Sequence, residues 1–190
     1  MQALKERIVQ DGFALGTEIV KVDSFLNHQI DVAFLQEIGR EFKARFSGLQ
    51  PTKILTMEAS GIAVAAFTAM AFGNIPVVFA KKAAPNTMTE DVYAAEVKSF
   101  TKGTVSLARV AKKYLGPQDR ILIIDDFLAH GEAGMGLISL VEQAGAELLG
   151  FGAVIEKAFQ GGGRRIRQSG CRLESLAVIE KIENGTIHFL

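Results

Sequence analysis

Four aliphatic residues in unbroken succession, Ile121-Leu122-Ile123-Ile124, run directly into two adjacent carboxylates, Asp125 and Asp126. A half-exposed strand alternates apolar and polar positions. An uninterrupted β-branched run is what a strand buried on both faces requires, and such strands belong to parallel sheets covered by helices. Residues 53–57, 76–80 and 148–155 are further short apolar runs. Helical spacing lies between them. Asp31 is placed to cap a helix in which Leu35, Ile38, Phe42 and Phe46 recur at three- and four-residue steps. Gly48 and Pro51 then stop it. An Ala-rich stretch from 61 to 72 and the set Leu137, Leu140, Val141, Ala144 mark two more helices. Strands alternating with helices imply βαβ units, hence an α/β class with a mostly parallel twisted sheet flanked by helices.

The remaining segments are less regular. Residues 2–10 read as a short helix ended by Asp11-Gly12, and residues 13–29 as an irregular stretch with one short strand at most. Residues 83–94 read as a polar loop, and 97–100 with 105–110 as a hairpin-like excursion. The tail reads as two strands, 172–182 and 186–190, joined at Glu183-Asn184-Gly185. Gly161-Gly162-Gly163 lacks the Gly-Lys-Ser/Thr of a P-loop and reads as a flexible turn, with Arg164, Arg165 and Arg167 as a solvated face.

Length and charge narrow the function. A chain of 190 residues suits one domain with a full core. Lys and Arg total 21 and Asp and Glu total 21, so no basic excess invites a nucleic-acid partner. The lone Cys171 permits no intrachain disulfide and fits a reducing, cytoplasmic setting. The most apolar stretch, 61–75, is shorter than the roughly 20 residues a membrane helix needs. The charged start of the chain is not expected to be a signal peptide. His28 and His188 fit no metal spacing, and no metal-ligating residue is assigned.

In open parallel sheets, ligands bind beyond the carboxyl ends of the strands. Two stretches stand there. After the most apolar run comes Asp125-Asp126-Phe127-Leu128-Ala129-His130-Gly131-Glu132-Ala133. An acidic pair has a bland reading as a cap and solvated turn. Here small residues and a helix start follow at once, and the free N–H groups of a helix N-terminus attract anions. A carboxylate pair for a diol beside a phosphate cradle suits a ribose 5-phosphate. The second stretch is Glu58-Ala59-Ser60-Gly61, either an ordinary turn with Ser60 as helix cap or a second anion nest.

The stretch from Ile121 to Ala133 resembles the phosphoribosyl-pyrophosphate signature of the type I phosphoribosyltransferases. The segment Lys21-Val22-Asp23-Ser24-Phe25-Leu26-Asn27-His28-Gln29-Ile30-Asp31 resembles the bacterial xanthine branch of that family. So do Val77-Val78-Phe79-Ala80-Lys81-Lys82, Ser99-Phe100-Thr101-Lys102 and Val154-Ile155-Glu156-Lys157-Ala158-Phe159-Gln160. The resemblance implies one domain with a hood from about 13–30 and 157–190. It implies phosphoribosyl transfer from phosphoribosyl pyrophosphate to xanthine, with Mg²⁺ bound mainly through that substrate, in a cytoplasmic homodimer without nucleic-acid or membrane partners.

Roles follow from the same resemblance. Asp125 and Asp126 would hold the ribose hydroxyls and act in catalysis. Ala129, His130, Gly131, Glu132 and Ala133 would cradle the 5′-phosphate. Glu58, Ala59 and Ser60 would form the pyrophosphate loop, where the family often has a non-proline cis peptide. Lys81 or Lys82 would meet pyrophosphate, and residues 83–102 would be a mobile loop. Val20, Asn27 and Lys157 would bind the purine, Lys157 through a 6-oxo oxygen and Asn27 through the 2-oxo group. Three positions depart from the pattern. His130 replaces the usual Asn, Thr or Ser. Glu132 replaces Gln and sets a carboxylate beside the phosphate, or points to water. Val20 replaces Leu. Other readings of the same signature are a hypoxanthine-guanine or adenine phosphoribosyltransferase, or a regulator that binds phosphoribosyl pyrophosphate without catalysis. A signalling receiver would need its acidic pair near the first strand.

Overall fold

The computed structural model describes residues 1–82, 91–99 and 104–190. In chain order these form α1 (Gln2–Asp11), β1 (Phe13–Leu15), β2 (Ile19–Lys21), a single π-helical turn (Asp23–Asn27), α2 (Val32–Arg45), β3 (Lys53–Met57), α3 (Gly61–Ala71) and β4 (Val77–Ala80). Then come β5 (Val92–Ser99), β6 (Thr104–Ala111), β7 (Arg120–Leu128), α4 (Glu132–Gln143), β8 (Glu147–Lys157), α5 (Gly162–Gln168), β9 (Leu173–Glu183) and β10 (Thr186–Phe189). The main sheet has the order β10-β9-β8-β7-β3-β4, with all neighbours parallel except the antiparallel edge strand β10.

The aliphatic run of β7 explains why this sheet has two covered faces. Ile121 and Ile123 pack into one core with Leu137, Leu140 and Val141 of α4 and Ile166 of α5. Leu122 and Ile124 pack into the other with Leu35, Ile38 and Phe42 of α2 and Val64 and Ala65 of α3. All four have no exposed surface. Complete burial of such a side chain contributes about 1.5–3 kcal/mol, so this strand anchors both layers. Asp31 caps α2 as expected, its Oδ1 accepting from Phe34 N at 3.1 Å. Ser60 occupies the N-cap position of α3, but its side chain makes no cap hydrogen bond.

Chain direction opens a crevice. From β3 the chain passes through α3 to β4, toward one edge. From β7 it passes through α4 to β8 and through α5 to β9, toward the other edge. Since β3 and β7 are neighbours, the loops leaving them diverge, and the sheet's topological switch point lies between them.

The structure departs from the sequence expectation in several places. Residues 13–29 hold a two-stranded hairpin, Phe13↔Lys21 to Leu15↔Ile19, followed by the π-turn. Strands of three residues are too short to show a period. Residues 92–94 belong to β5 rather than to a loop, paired from Val92↔Ala111 to Ser99↔Thr104. The rest of the expected loop at 83–90, and Phe100-Thr101-Lys102, lie outside the described residues. The flexible turn expected at 161–163 is instead the start of α5, with Gly162 and Gly163 buried. Glycine disfavours helix by about 1 kcal/mol, so tertiary packing overrode propensity there. Residues 173–190, expected in the hood, form β9 and β10 of the main sheet. Their joint is a tight turn with Asn184 and Gly185 at φ 50° and 77°.

Arg7 fixes the remaining N-terminal elements. Its guanidinium lies 5.2 Å from the Phe25 ring centre and 5.5 Å from that of Phe34. It also pairs with Asp11 and, at 3.1 Å, with Asp31. One cation thus ties α1, the π-turn and the start of α2 together.

Candidate active site

Parallel strands present their carboxyl ends on one edge. Met57 of β3, Ala80 of β4, Leu128 of β7 and Lys157 of β8 are those ends. The residues beyond them are Glu58-Ala59-Ser60, Lys81-Lys82 and Ala129 to Ala133. Topology alone therefore gathers the expected phosphate-binding stretches at the switch point.

The acidic pair lies inside β7, not beyond it, because the strand runs on to Leu128. Asp125 is 5% exposed and Asp126 7%. Asp126 N donates to Asp125 Oδ1 at 3.1 Å. Burial pushes the Asp125 carboxyl well above the ordinary carboxylate range, and the neighbouring Asp126 charge pushes it further. The Lys82 charge opposes part of that rise. A charge-bearing group this deep in the fold is costly unless a ligand satisfies it.

Beside Asp125 stands a residue that the sequence pattern does not single out. The Thr56 hydroxyl of β3 is buried and has no hydrogen-bond partner among the described residues. A Cβ on Gly61 would stand 2.2 Å from Thr56 Oγ1 and 2.5 Å from Asp125 Oδ1. The α3 N-terminus therefore abuts both polar groups. In sequence Thr56 is one position of an apolar strand, with no signal to single it out.

The loop between β3 and α3 contains a cis peptide at Glu58-Ala59. Glu58 is tied at both ends. Its N–H donates to Ala80 O at 3.1 Å, and its carboxylate accepts from the Lys82 N–H. Lys81 exchanges backbone hydrogen bonds of 2.9 Å with Arg109 of β6, which pins the end of β4 to the β5–β6 hairpin.

The loop from Ala129 to Glu132 is braced from a distant part of the chain. Gly131 takes φ 84° at the N-cap of α4, so the first N–H groups of that helix are available to an anion. Gly162 N donates to Ala129 O at 2.9 Å. Arg165 Nη1 donates to His130 O at 2.9 Å and to the Glu132 carboxylate. Gly162 and Arg165 thus support this loop, while Arg164, Arg165 and Arg167 are all exposed, as the sequence leads one to expect of a solvated face. Arg167 likewise pairs with Glu156 at 3.1 and 3.0 Å. Glu156 is 3% exposed and also accepts from Ser175 Oγ at 2.6 Å.

Lys157 meets the N-terminal hairpin. Its Nζ donates to Glu18 O at 2.7 Å and lies 5.5 Å from the Phe127 ring centre. Burial lowers its pKa, and the Glu18 charge counters this. Val20 is buried, whereas Asn27, the last residue of the π-turn, is exposed. Among the described residues, no three His, Cys, Asp or Glu side chains converge as a metal-binding group. No helix of the described residues is long and apolar enough to cross a membrane. Cys171 has its thiol pushed up to about 11 by burial and carries no sign of reactivity.

No family model matches the chain. Whole-sequence comparison finds strong relatives. The chain is 56% identical over 189 residues to a xanthine phosphoribosyltransferase of Clostridioides difficile strain 630, covering 100% of both proteins. It is 53% identical over 190 residues to one from Moorella thermoacetica, covering 100% of this chain and 96% of that protein. Among solved structures it is similar to the adenine phosphoribosyltransferase of Rhodothermus marinus. That match has a TM-score of 0.75 and 19% identity, covering 94% of this chain and 100% of the other. The enzyme from Trypanosoma brucei gives a TM-score of 0.71 at 18% identity, covering 92% and 78%. At such identities the structural matches speak to the fold.

Proposed function

The chain belongs to the xanthine phosphoribosyltransferase family, and from that premise we propose that it transfers the 5-phosphoribosyl group of phosphoribosyl pyrophosphate to xanthine. The products are xanthosine 5′-monophosphate and pyrophosphate, a purine-salvage reaction. The observation that carries this reading is the switch-point crevice. There a buried acidic pair, a loop braced by Arg165 and a second tight loop lie in or just after the adjacent strands β7 and β3, in a chain 56% identical to a named enzyme of this activity.

A purine ring nitrogen forms a bond to ribose C1 as the bond from C1 to pyrophosphate oxygen breaks. The electron pair of that bond leaves with pyrophosphate, and the purine N–H proton passes to solvent. Positive charge develops on the ribose ring. Asp125 and Asp126 accept from the ribose hydroxyls and stabilise that charge. The α4 N-terminus and the backbone of Ala129 to Ala133 hold the 5′-phosphate, while Glu58 to Ser60 and Lys81 or Lys82 receive pyrophosphate. Mg²⁺ would bind mainly through the pyrophosphate and its own waters, with the hard carboxylate oxygens of Asp125 and Asp126 close by. When bound, it neutralises charge on the pyrophosphate. Val20, Asn27 and Lys157 contact the purine from the N-terminal hood and the end of β8. The chain works as a cytoplasmic homodimer in this reading.

Incubation with Mg²⁺, phosphoribosyl pyrophosphate and one purine at a time, followed by nucleotide analysis, tests the proposal. Xanthine is expected to turn over fastest. Absence of turnover with every base would replace the enzyme reading with that of an effector-binding protein. Lys157→Ala is expected to lower kcat/KM for xanthine about ten- to hundred-fold, because a donor to the 6-oxo oxygen is lost and its pocket partner is left unpaired. Unchanged efficiency would remove Lys157 from the purine site.

A further inference from the structure

The phosphate-binding loop contains an anomaly that the reaction does not explain. Glu132 is the first residue of α4, a carboxylate at the helix end that must receive a phosphate. A carboxylate in the first turn is itself attracted to the free N–H groups there. Left alone, it would compete with the phosphate for those donors and repel it through space.

Arg165 of α5 answers both problems. Its Nη1 holds the Glu132 carboxylate, and the same nitrogen donates to His130 O at 2.9 Å. One guanidinium therefore binds the side chain that follows Gly131 and the carbonyl that precedes it. Behind this contact, Gly162 N holds Ala129 O at 2.9 Å. Glu132 keeps only 19% of its side-chain surface exposed. A surface ion pair by itself contributes little. This one is different in consequence, because one partner lies on the substrate's anion site and the second contact fixes the backbone of that site.

We propose that Arg165 is a positioning residue for the reaction. It draws Glu132 away from the α4 N-terminus and fixes the loop so that the 5′-phosphate can bind. This rests on the assignment of Ala129 to Ala133 as the phosphate cradle. By residue type and spacing alone this arginine is one of three in a solvated face.

Steady-state kinetics with Arg165→Ala, Arg165→Lys and the double variant Glu132→Gln/Arg165→Ala test it, together with calorimetric titration of ribose 5-phosphate. Arg165→Ala is expected to raise KM for phosphoribosyl pyrophosphate about ten-fold and to weaken ribose 5-phosphate binding in parallel. By contrast, kcat and KM for xanthine should change less than about three-fold, as expected for a lost ground-state binding contribution. Removing the carboxylate in the double variant should recover most of that loss, which a merely structural arginine would not allow. Arg165→Lys retains the charge and should fall between the two. Ribose 5-phosphate binding unaltered by Arg165→Ala overturns the proposal. So does a double variant no better than the single one. If the unsubstituted protein does not bind ribose 5-phosphate, the cradle assignment falls and this inference falls with it.

Discussion

Asp125→Asn is expected to stabilise the protein while nearly abolishing its activity. Asn keeps the oxygen that accepts from Asp126 N, and it matches the volume available beside Gly61. What it removes is a buried negative charge next to another carboxylate. The folded carboxyl has its pKa raised, so between the unfolded and folded values the native state binds the extra proton. Stability therefore falls as pH rises through the folded pKa, and the penalty is full above it. Replacement by a neutral isostere should add about 1–2 kcal/mol near neutral pH, an activity–stability trade of ordinary size. The gain should vanish only on acidification below the ordinary carboxylate range, where Asp125 is protonated in the folded and unfolded states alike. Loss of an electrostatic stabiliser that also holds the ribose should lower kcat/KM by about two to three orders of magnitude. Thermal melts across pH and initial rates check both halves. A lower melting temperature at neutral pH would mean that the charge is satisfied within the empty fold. The acid limb of kcat/KM should also lie above the range of an ordinary carboxylate.

The second large effect concerns Gly162. An added Cβ would come within 2.3 Å of Ala129 O, 2.6 Å of Gly131 N and 2.9 Å of His130 C. All three atoms are backbone, so no flexible side chain can yield. Either α5 or the phosphate loop must shift. Gly131 already holds φ 84°, which leaves that loop little conformational choice. Gly162→Ala is expected to cost about 1–3 kcal/mol, the usual range for overpacking. A displacement of about 1 Å in a substrate-positioning loop can cost about a hundred-fold in rate, so kcat/KM for phosphoribosyl pyrophosphate should fall by about that factor. Folding and activity are separated by the melting temperature of the variant and by its titration with ribose 5-phosphate. A variant that folds and binds ribose 5-phosphate with unchanged affinity would show that the α5 contact does not control the site.

Much of the scaffold was legible in local patterns. The limits of β3 match the apolar run at 53–57, and the Asp31 cap and the Asn184-Gly185 turn fall where side-chain chemistry puts them. These features depend on neighbours in sequence. What escaped depends on neighbours in space. The helix α5 begins with Gly162 and Gly163, which propensity argues against. It exists because small residues let its start press on the Ala129–Gly131 backbone and on Glu156, where a Gly163 Cβ would meet Oε1 at 1.8 Å. The unpaired hydroxyl of Thr56 and the Lys157 bond to Glu18 O, 139 residues away, are invisible for the same reason.

Residues alone determined that β7 would be buried on both faces, that the sheet would be mostly parallel and that an acidic pair would stand near a helix N-terminus. Each follows from side-chain type and spacing, because burial and capping are short-range demands on the chain. Tertiary structure decided that the switch point falls between β3 and β7, that residues 173–190 complete the sheet, and that Arg165 neutralises Glu132. Those outcomes depend on which strands become neighbours and on what packs behind a loop. They are set by closure of the whole core, which no local window contains.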